Sequence, residues 1–171
     1  EDYVGEIDRE SGEVVWEFNA ADVIGKEDGQ SASIATDGSD EIDWFHNNSL
    51  WYDEKNDLVL LSARHKDAII AINKSDKSLA WILGDPTDWD GVDEKYFFTP
   101  TGADFEWQYA QHQITMLDNG DIMMFDNGTA KVKLSDNDNR VSGDDIYSRA
   151  VVYHINTDDM TIEQVFEYGK E

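Results

Sequence analysis

The apolar residues of this chain stand in short runs, rich in Val, Ile, Trp, Tyr and Phe, which are separated by Asp, Asn, Gly and Lys. Runs of this length and composition, bounded by turn residues, are typical of β-strands. Asn119-Gly120 is a dipeptide that favours a tight hairpin. No segment keeps an apolar period of about 3.6 residues for long enough to indicate a helix, so the pattern predicts an all-β fold. Strands are expected at residues 14–18, 58–63, 68–72, 79–83, 112–117, 121–125, 149–155 and 161–168.

The strand pattern repeats along the chain. Residues 7–16 match residues 72–81, and the segment that starts at His46 matches the segment that starts at His112. Each repeat then contains four strands joined by short turns, which is the composition of one β-propeller blade. The sequence therefore predicts blades of four antiparallel strands.

The repeats divide residues 1–171 into about two and a half blades of a single domain. Closed propellers carry about four to eight blades. Because the strand pattern is cut at both ends, the chain is expected to be a fragment of a larger propeller. The expected parts are residues 1–18 for the end of one blade, 45–83 for the second blade and 112–168 for the third, with loops at 19–43, 84–110 and 127–147.

Charge and composition exclude several classes of protein. The 38 acidic and 13 basic residues give a formal net charge of −25, and such an acidic chain is not expected to bind nucleic acid, because phosphates are neutralised by clustered Lys and Arg. The longest apolar runs are far shorter than the ~20 residues of a membrane-spanning helix, so no membrane insertion is expected. A hydrophobic fraction of 40% argues against disorder. The chain has no Cys, which excludes disulfides and thiolate metal sites.

His46 and His112 are the first candidates for chemistry, since they occupy the same position in successive repeats. Equivalent positions near the inner strands of a propeller face the same central channel, so the two side chains are expected to converge. The alternative is that each is a hydrogen-bonded structural histidine, which is the commoner fate of a single histidine in a strand.

Arg64 and Arg149 form the second set, because one ends an apolar strand and the other begins one. A guanidinium beside a histidine is suited to hold an oxyanion. The alternative for both is a salt bridge to one of the many carboxylates.

The acidic loops do not match a metal site. Asp136-x-Asp138 begins like a calcium-binding loop, but Tyr147 stands where the loop needs its last carboxylate ligand. No metal and no cofactor are therefore expected.

Several motifs in series resemble the arylsulfate sulfotransferase family, the bacterial enzymes that do not use a nucleotide sulfate donor. The resemblance covers roughly residues 41–171. It rests on Asp43-Trp44-Phe45-His46-Asn47-Asn48-Ser49, Leu60-Leu61-Ser62-Ala63-Arg64-His65, Trp81-Ile82-Leu83-Gly84, Tyr109-Ala110-Gln111-His112, Phe125-Asp126-Asn127-Gly128, Tyr147-Ser148-Arg149 and residues 165–171.

The resemblance implies a six-bladed propeller in which a histidine takes a sulfuryl group from an aryl sulfate and passes it to a phenol. His46, His112 and Arg149 match catalytic residues, and Arg64, His65 and Asn127 are candidate substrate-binding residues. The histidine that becomes sulfated lies beyond the equivalent of Glu171, so this fragment alone is expected to be inactive.

The family also implies a periplasmic or cell-surface location and small-molecule partners, an aryl sulfate and a phenol, while a homo-oligomer is left open. One alternative is a non-catalytic propeller that binds a ligand with loops 84–110 and 127–147. A second is a quinone-dependent dehydrogenase propeller, which ranks last because the chain offers no Cys pair and no calcium ligand set.

Overall fold

A computed structural model describes residues 2–36 and 43–169, and this part of the chain is built from β-strands and short 3₁₀ segments. The predicted all-β fold is confirmed. None of the helical segments in these residues is long and apolar enough to cross a membrane. The strands are β1 (Tyr3–Ile7), β2 (Val14–Asn19), β3 (Asn47–Asp53), β4 (Leu58–Ala63), β5 (Ala68–Asn73), β6 (Leu79–Gly84), β7 (Thr99–Thr101), β8 (His112–Met116), β9 (Ile122–Asp126), β10 (Arg149–Asn156) and β11 (Thr161–Tyr168). The 3₁₀ segments are Ala20–Asp22, Ala32–Thr36, Arg64–Lys66, Glu94–Tyr96, Leu134–Asn139 and Gly143–Asp145.

Strands β3 to β6 form a four-stranded antiparallel sheet in chain order. Its inner strand β4 is buried along its whole length, because both faces of the sheet are covered. Successive side chains of a strand point to opposite faces, and here Val59 and Leu61 join one hydrophobic cluster while Leu58 and Leu60 join another. This sheet therefore separates two apolar layers, as a blade with a neighbour on each side would.

The layer on one face contains Phe18, from the two-stranded β1–β2 sheet. The layer on the other face contains residues of the second large sheet, such as Met124 and Tyr153. In that second sheet β8 to β11 are antiparallel neighbours in chain order.

Strand β7 is a feature that the pattern did not indicate, since it lies within the expected loop 84–110. It pairs in parallel with the outer strand β11 and makes this sheet five-stranded. Its sequence, Thr-Pro-Thr, is short and contains a proline, which is tolerated in a strand mainly at a sheet edge. The pairing joins residues that are far apart in the chain, so no local sequence pattern predicts it.

Strands β3 and β8, one from each large sheet, lie side by side. The backbone N–H of Ile114 in β8 donates to the hydroxyl of Ser49 in β3 (3.0 Å). The side-chain amide of Asn48 donates to the carbonyl oxygen of Gln111 (2.7 Å). These contacts bring together the beginnings of β3 and β8, where His46 and His112 stand.

Candidate functional site

His46 directly precedes β3 and His112 opens β8, and the backbone around both is unusual. His46, Ala110 and Gln113 have φ angles of 55°, 51° and 58°, in the left-handed region that residues other than glycine seldom occupy. Such conformations persist only where the surrounding structure enforces them, and they are concentrated at functional sites.

A carboxylate and a second histidine accompany His46. Its Nδ1 is hydrogen-bonded to the carboxylate of Asp43, and its ring centroid lies 4.8 Å from that of His65. His65 is completely buried, whereas the side chains of His46 and Asp43 are about 40% exposed, at 41% and 40%. The Asp43–His46 pair thus stands at the surface of the site with His65 behind it.

Arg64 fixes the protonation of His65. Its Nη1 lies 2.5 Å from His65 Nε2, and because a guanidinium only donates hydrogen bonds, Nε2 must be the acceptor. The proton of the neutral ring is then on Nδ1, which donates to the backbone oxygen of Asp43. Burial lowers the pKa of His65, as do the charges of Arg64 and His46, so the neutral form is favoured.

The short Arg64–Lys66 turn is fastened to the segment that carries His46. The N–H of Arg64 donates to the carbonyl of His46 and the N–H of His65 to that of Phe45, each at 3.2 Å. On the other side, the buried amino group of Lys66 donates to the carbonyl oxygens of Lys26 (2.7 Å) and Asp28 (2.5 Å). These bonds set the position of Arg64 relative to His46.

Asn127, which follows β9, holds His112. The Asn127 Nδ2 lies 2.9 Å from His112 Nδ1 and 2.6 Å from the carbonyl oxygen of Ala110. Burial lowers the pKa of His112, and the charges of Arg64 and His46 lower it further. The structure therefore brings five of the six candidate residues into one cluster: His46, His112, Arg64, His65 and Asn127.

Arg149 is placed differently from the free oxyanion donor that the sequence suggested. Its side chain is 1% exposed and all five of its N–H groups have protein acceptors. Nε donates to Asp126 (2.8 Å), Nη1 to Gln164 (3.1 Å) and Glu167 (2.8 Å), and Nη2 to the carbonyls of Glu106 (3.0 Å) and Trp107 (3.1 Å). The alternative considered for this arginine, a salt bridge, is the arrangement that the structure contains.

The buried Arg149–Asp126 pair acts on the site through the backbone. The second carboxylate oxygen of Asp126 accepts the N–H groups of Tyr109 (2.9 Å) and Gly128 (2.8 Å). These two residues flank the segments that carry His112 and Asn127. Arg149 is thus connected to the cluster by way of Asp126.

Sequence reasoning did not single out Asp43, Asp126 or Gln111 as individual residues. The buried amide of Gln111 donates to the carbonyl of Ala68 (3.0 Å) and to the hydroxyl of Ser62 (3.2 Å), which ties the chain before His112 to the neighbouring sheet. The available signal was position, because Asp43 stands three residues before one histidine and Gln111 directly before the other.

Asp43, His46 and His65 also meet the distance requirement for a metal site, since their ligand atoms lie within 4.8 Å of one another. The donor chemistry does not fit. A metal ion in this group would need a lone pair of His65, but both ring nitrogens are engaged, Nε2 with Arg64 and Nδ1 with the backbone oxygen of Asp43. The three residues form a hydrogen-bonded chain, and no step is assigned to a metal.

Comparison with known proteins identifies the family that this chain matches. The profile of the arylsulfotransferase (ASST) family matches residues 1–171. The arylsulfate sulfotransferase AssT of Escherichia coli O6:H1 is 31% identical over 144 residues, which cover 75% of this chain and 23% of the relative. The protein of the same name from Lelliottia amnigena is 30% identical over 147 residues, covering 77% of this chain and 24% of the relative. The chain spans about a quarter of the length of these curated relatives.

Proposed function

The chain belongs to the arylsulfotransferase family, and we propose that it forms part of an enzyme that moves a sulfuryl group from a phenolic sulfate ester to a phenolic acceptor. The supporting observation is the cluster at the start of β3 and β8. There the N–H of Arg64 donates to the carbonyl oxygen of His46 (3.2 Å), and Asn48 donates to the carbonyl oxygen of Gln111, the residue before His112 (2.7 Å). The transfer runs through a sulfohistidine whose nucleophilic histidine lies outside these 171 residues. The two half-reactions then give ping-pong kinetics.

The cluster has the chemistry that this transfer needs. Negative charge spreads over the transferred group and the departing phenolate in the transition state, and fixed positive charges and N–H donors stabilise it. Arg64 is permanently charged, partly exposed and held at the cluster by its bond to His65. We assign the contact with sulfuryl oxygens to Arg64. Arg149, which the family resemblance matches to a catalytic residue, is assigned the support of this site through Asp126.

The architecture around the cluster, the location and the substrates are proposed from the family. The two large sheets and the β1–β2 pair are proposed to be neighbouring blades of a six-bladed propeller, with the cluster facing its central channel. A periplasmic or cell-surface location is part of the same proposal. The substrates are small aromatic molecules, and the acidic surface is not expected to attract nucleic acid.

The test uses 4-nitrophenyl sulfate as donor and phenol as acceptor. The longer protein that contains this chain should release 4-nitrophenol in a phenol-dependent manner, whereas residues 1–171 alone should release none above background. Arg64→Met should lower turnover by about 10²- to 10³-fold, the range found when one transition-state donor is removed. Arg140→Met, at an exposed arginine, is the matched control. Absence of transfer by the longer protein would refute the function, and undiminished turnover of Arg64→Met would remove Arg64 from it.

A non-catalytic binding module is the second candidate, and one observation favours it. A cavity of about 650 Å³ lies within the 84–110 segment, where Trp89, Phe97 and Phe98 provide apolar walls beside Asp88 and Asp90. If the longer protein transfers no sulfuryl group but binds a phenol with a change in tryptophan fluorescence that Trp89→Phe abolishes, this function replaces the first.

A further inference from the structure

The contact with Asp43 determines which nitrogen of His46 carries the proton. An ionised carboxylate only accepts hydrogen bonds, so the Nδ1 that meets Asp43 must be protonated. In the neutral ring the lone pair is then on Nε2, on the opposite side of the imidazole from Asp43. The side chain is 41% exposed, and Nε2 is the nitrogen that the contact with Asp43 leaves available to a ligand. Among the residues that the structure describes, the charged or titratable groups near His46 include Asp43, His65, Arg64 and His112. The carboxylate of Asp2 also lies close by, since it accepts from the N–H of Asn47 (3.5 Å).

The contact with Asn127 gives His112 the opposite arrangement. The Asn127 atom that lies 2.6 Å from the Ala110 carbonyl must be the amide nitrogen, because two oxygens would repel each other at that distance. The second hydrogen of the same NH₂ group points to His112 Nδ1 at 2.9 Å. The Ala110 carbonyl oxygen also lies 3.2 Å from His112 Nδ1, but this oxygen already accepts the shorter hydrogen bond from Asn127. A proton on Nδ1 would collide with the amide hydrogen of Asn127, so Nδ1 is the acceptor and the proton of the neutral ring is on Nε2.

We propose that Asp43 and Asn127 are positioning residues that hold His46 and His112 in opposite tautomers, and that this divides the work between the two histidines. His46 exchanges the phenolic proton through Nε2. His112 keeps its proton and donates a hydrogen bond from Nε2 to a sulfuryl oxygen. This assignment rests on the sulfuryl transfer proposed above.

The proton balance supports the division. In the acceptor half-reaction the phenol O–H bond breaks, its proton goes to His46 Nε2, and the oxygen forms the new S–O bond. The S–N bond of the sulfohistidine breaks and its electron pair returns to that nitrogen. In the donor half-reaction the S–O bond breaks, the S–N bond forms, and the departing oxygen takes the proton from His46 Nε2.

One histidine serves both half-reactions because the leaving group of the donor and the acceptor are both phenols, so that each half-reaction is the reverse of the other in kind. His112 cannot share this task from its neutral form, since losing the Nε2 proton would leave an imidazolate anion. A neutral imidazole is nevertheless a good donor to a developing oxyanion.

The tautomers can be read directly by ¹⁵N nuclear magnetic resonance of the ring nitrogens in ¹⁵N-histidine-labelled protein. At a pH where the rings are neutral, His46 should show a protonated Nδ1 and a free Nε2, and His112 the reverse. Asp43→Ala should shift neutral His46 toward the Nε2–H form. Asn127→Asp should invert His112, because a carboxylate requires a proton on Nδ1.

His154 provides the matched control. Its Nδ1 also meets a carboxylate, that of Asp121 at 2.7 Å, and its side chain is 55% exposed. Asp121→Ala should change the spectrum of His154 and leave both His46 and the sulfuryl transfer unchanged.

Activity of the longer protein supplies the second readout. Asp43→Ala should slow transfer from phenyl sulfate to phenol by about 10²-fold or more, as expected for loss of an acid–base group. The initial burst of nitrophenol from 4-nitrophenyl sulfate should survive, since this weakly basic phenolate leaves without a proton. A wild-type His46 protonated on Nε2, or an equal loss of the burst and of phenyl sulfate turnover, would overturn the inference. The spectra report the tautomers whether or not the protein transfers sulfuryl groups, so the two proposals fail separately.

Discussion

Replacing Arg149 with methionine tests whether the buried ion pair with Asp126 supports the site. Methionine fills a similar volume but removes the charge and all five N–H groups. The carboxylate of Asp126 would remain 1% exposed without its cationic partner. It would retain only the N–H groups of Tyr109 and Gly128 as donors.

The expected cost follows from this burial. Removing one partner of a buried ion pair destabilises a protein by about 3–5 kcal/mol, because the other charge stays uncompensated. A domain has about 5–15 kcal/mol of stability in all, so the loss is a large part of the total. With a dependence on urea of about 1–3 kcal/mol per molar, the unfolding midpoint should fall by roughly 1–3 M.

Urea unfolding followed by tryptophan fluorescence measures this shift. Arg140→Met, at an exposed position, is the control and should change stability by less than about 0.5 kcal/mol. Adding Asp126→Asn to Arg149→Met should recover part of the loss, since the amide oxygen still accepts N–H groups and carries no charge. A loss below about 1 kcal/mol for Arg149→Met would refute the reasoning, because it would mean that Asp126 is not held as a buried anion.

Two further predictions concern the same region. Gly128→Ala should destabilise the protein by about 1–3 kcal/mol, because φ is +64° there and the added methyl group would clash with the Tyr147 carbonyl oxygen. Gly120→Ala is the control for backbone strain in the same unfolding assay, because φ is +89° at Gly120 and no atom lies within 4 Å of the added methyl group. Burial raises the pKa of Asp67 from 3.8 to about 6, so between these values the folded state holds a proton that the unfolded state has lost. Stability should therefore fall by about 3 kcal/mol as pH rises through this window, at about 1.4 kcal/mol per pH unit. Asp67→Asn should keep the hydrogen bond from Ala110 (2.6 Å) and flatten the profile; an unchanged pH profile in that variant would assign the slope to another group.

The strands could be predicted because their signals are local. Short apolar runs and Asx-rich turns such as 53–56 and 118–120 determine where β3, β4, β8 and β9 begin and end. The approach of His46 to His112 followed from the repeat, since equivalent positions in stacked blades are neighbours. Both inferences used residues that are near in sequence or related by the repeat.

The contacts of Arg149 and Asp43 could not be predicted in this way. Arg149 receives its partners from β9, β11 and the segment before β8, and no spacing in the sequence specifies that meeting. The histidine tautomers depend on atoms less than 3 Å apart, such as Asn127 Nδ2 and His112 Nδ1. Sequence supplies the residue types for such contacts, whereas the packing of the sheets decides which of them meet.

The burial of β4 on both faces has a consequence for strand register. A shift of one residue in a strand with one polar face would bury polar and expose apolar side chains. In β4 the same shift would only exchange Val59 and Leu61 with Leu58 and Leu60, so hydrophobicity opposes it weakly.

Polar anchors at both ends must therefore fix the alignment of β4 with β3, which pairs Asp53 with Leu58. At one end the Asp53 carboxylate, 6% exposed, accepts from the Asn56 side chain (2.6 Å) and the Lys55 N–H (3.1 Å). At the other end the side-chain amide of Gln111 donates to the hydroxyl of Ser62 and to the carbonyl oxygen of Ala63. The site depends on these anchors, because a one-residue slip of β4 would carry Arg64 and His65 away from His46.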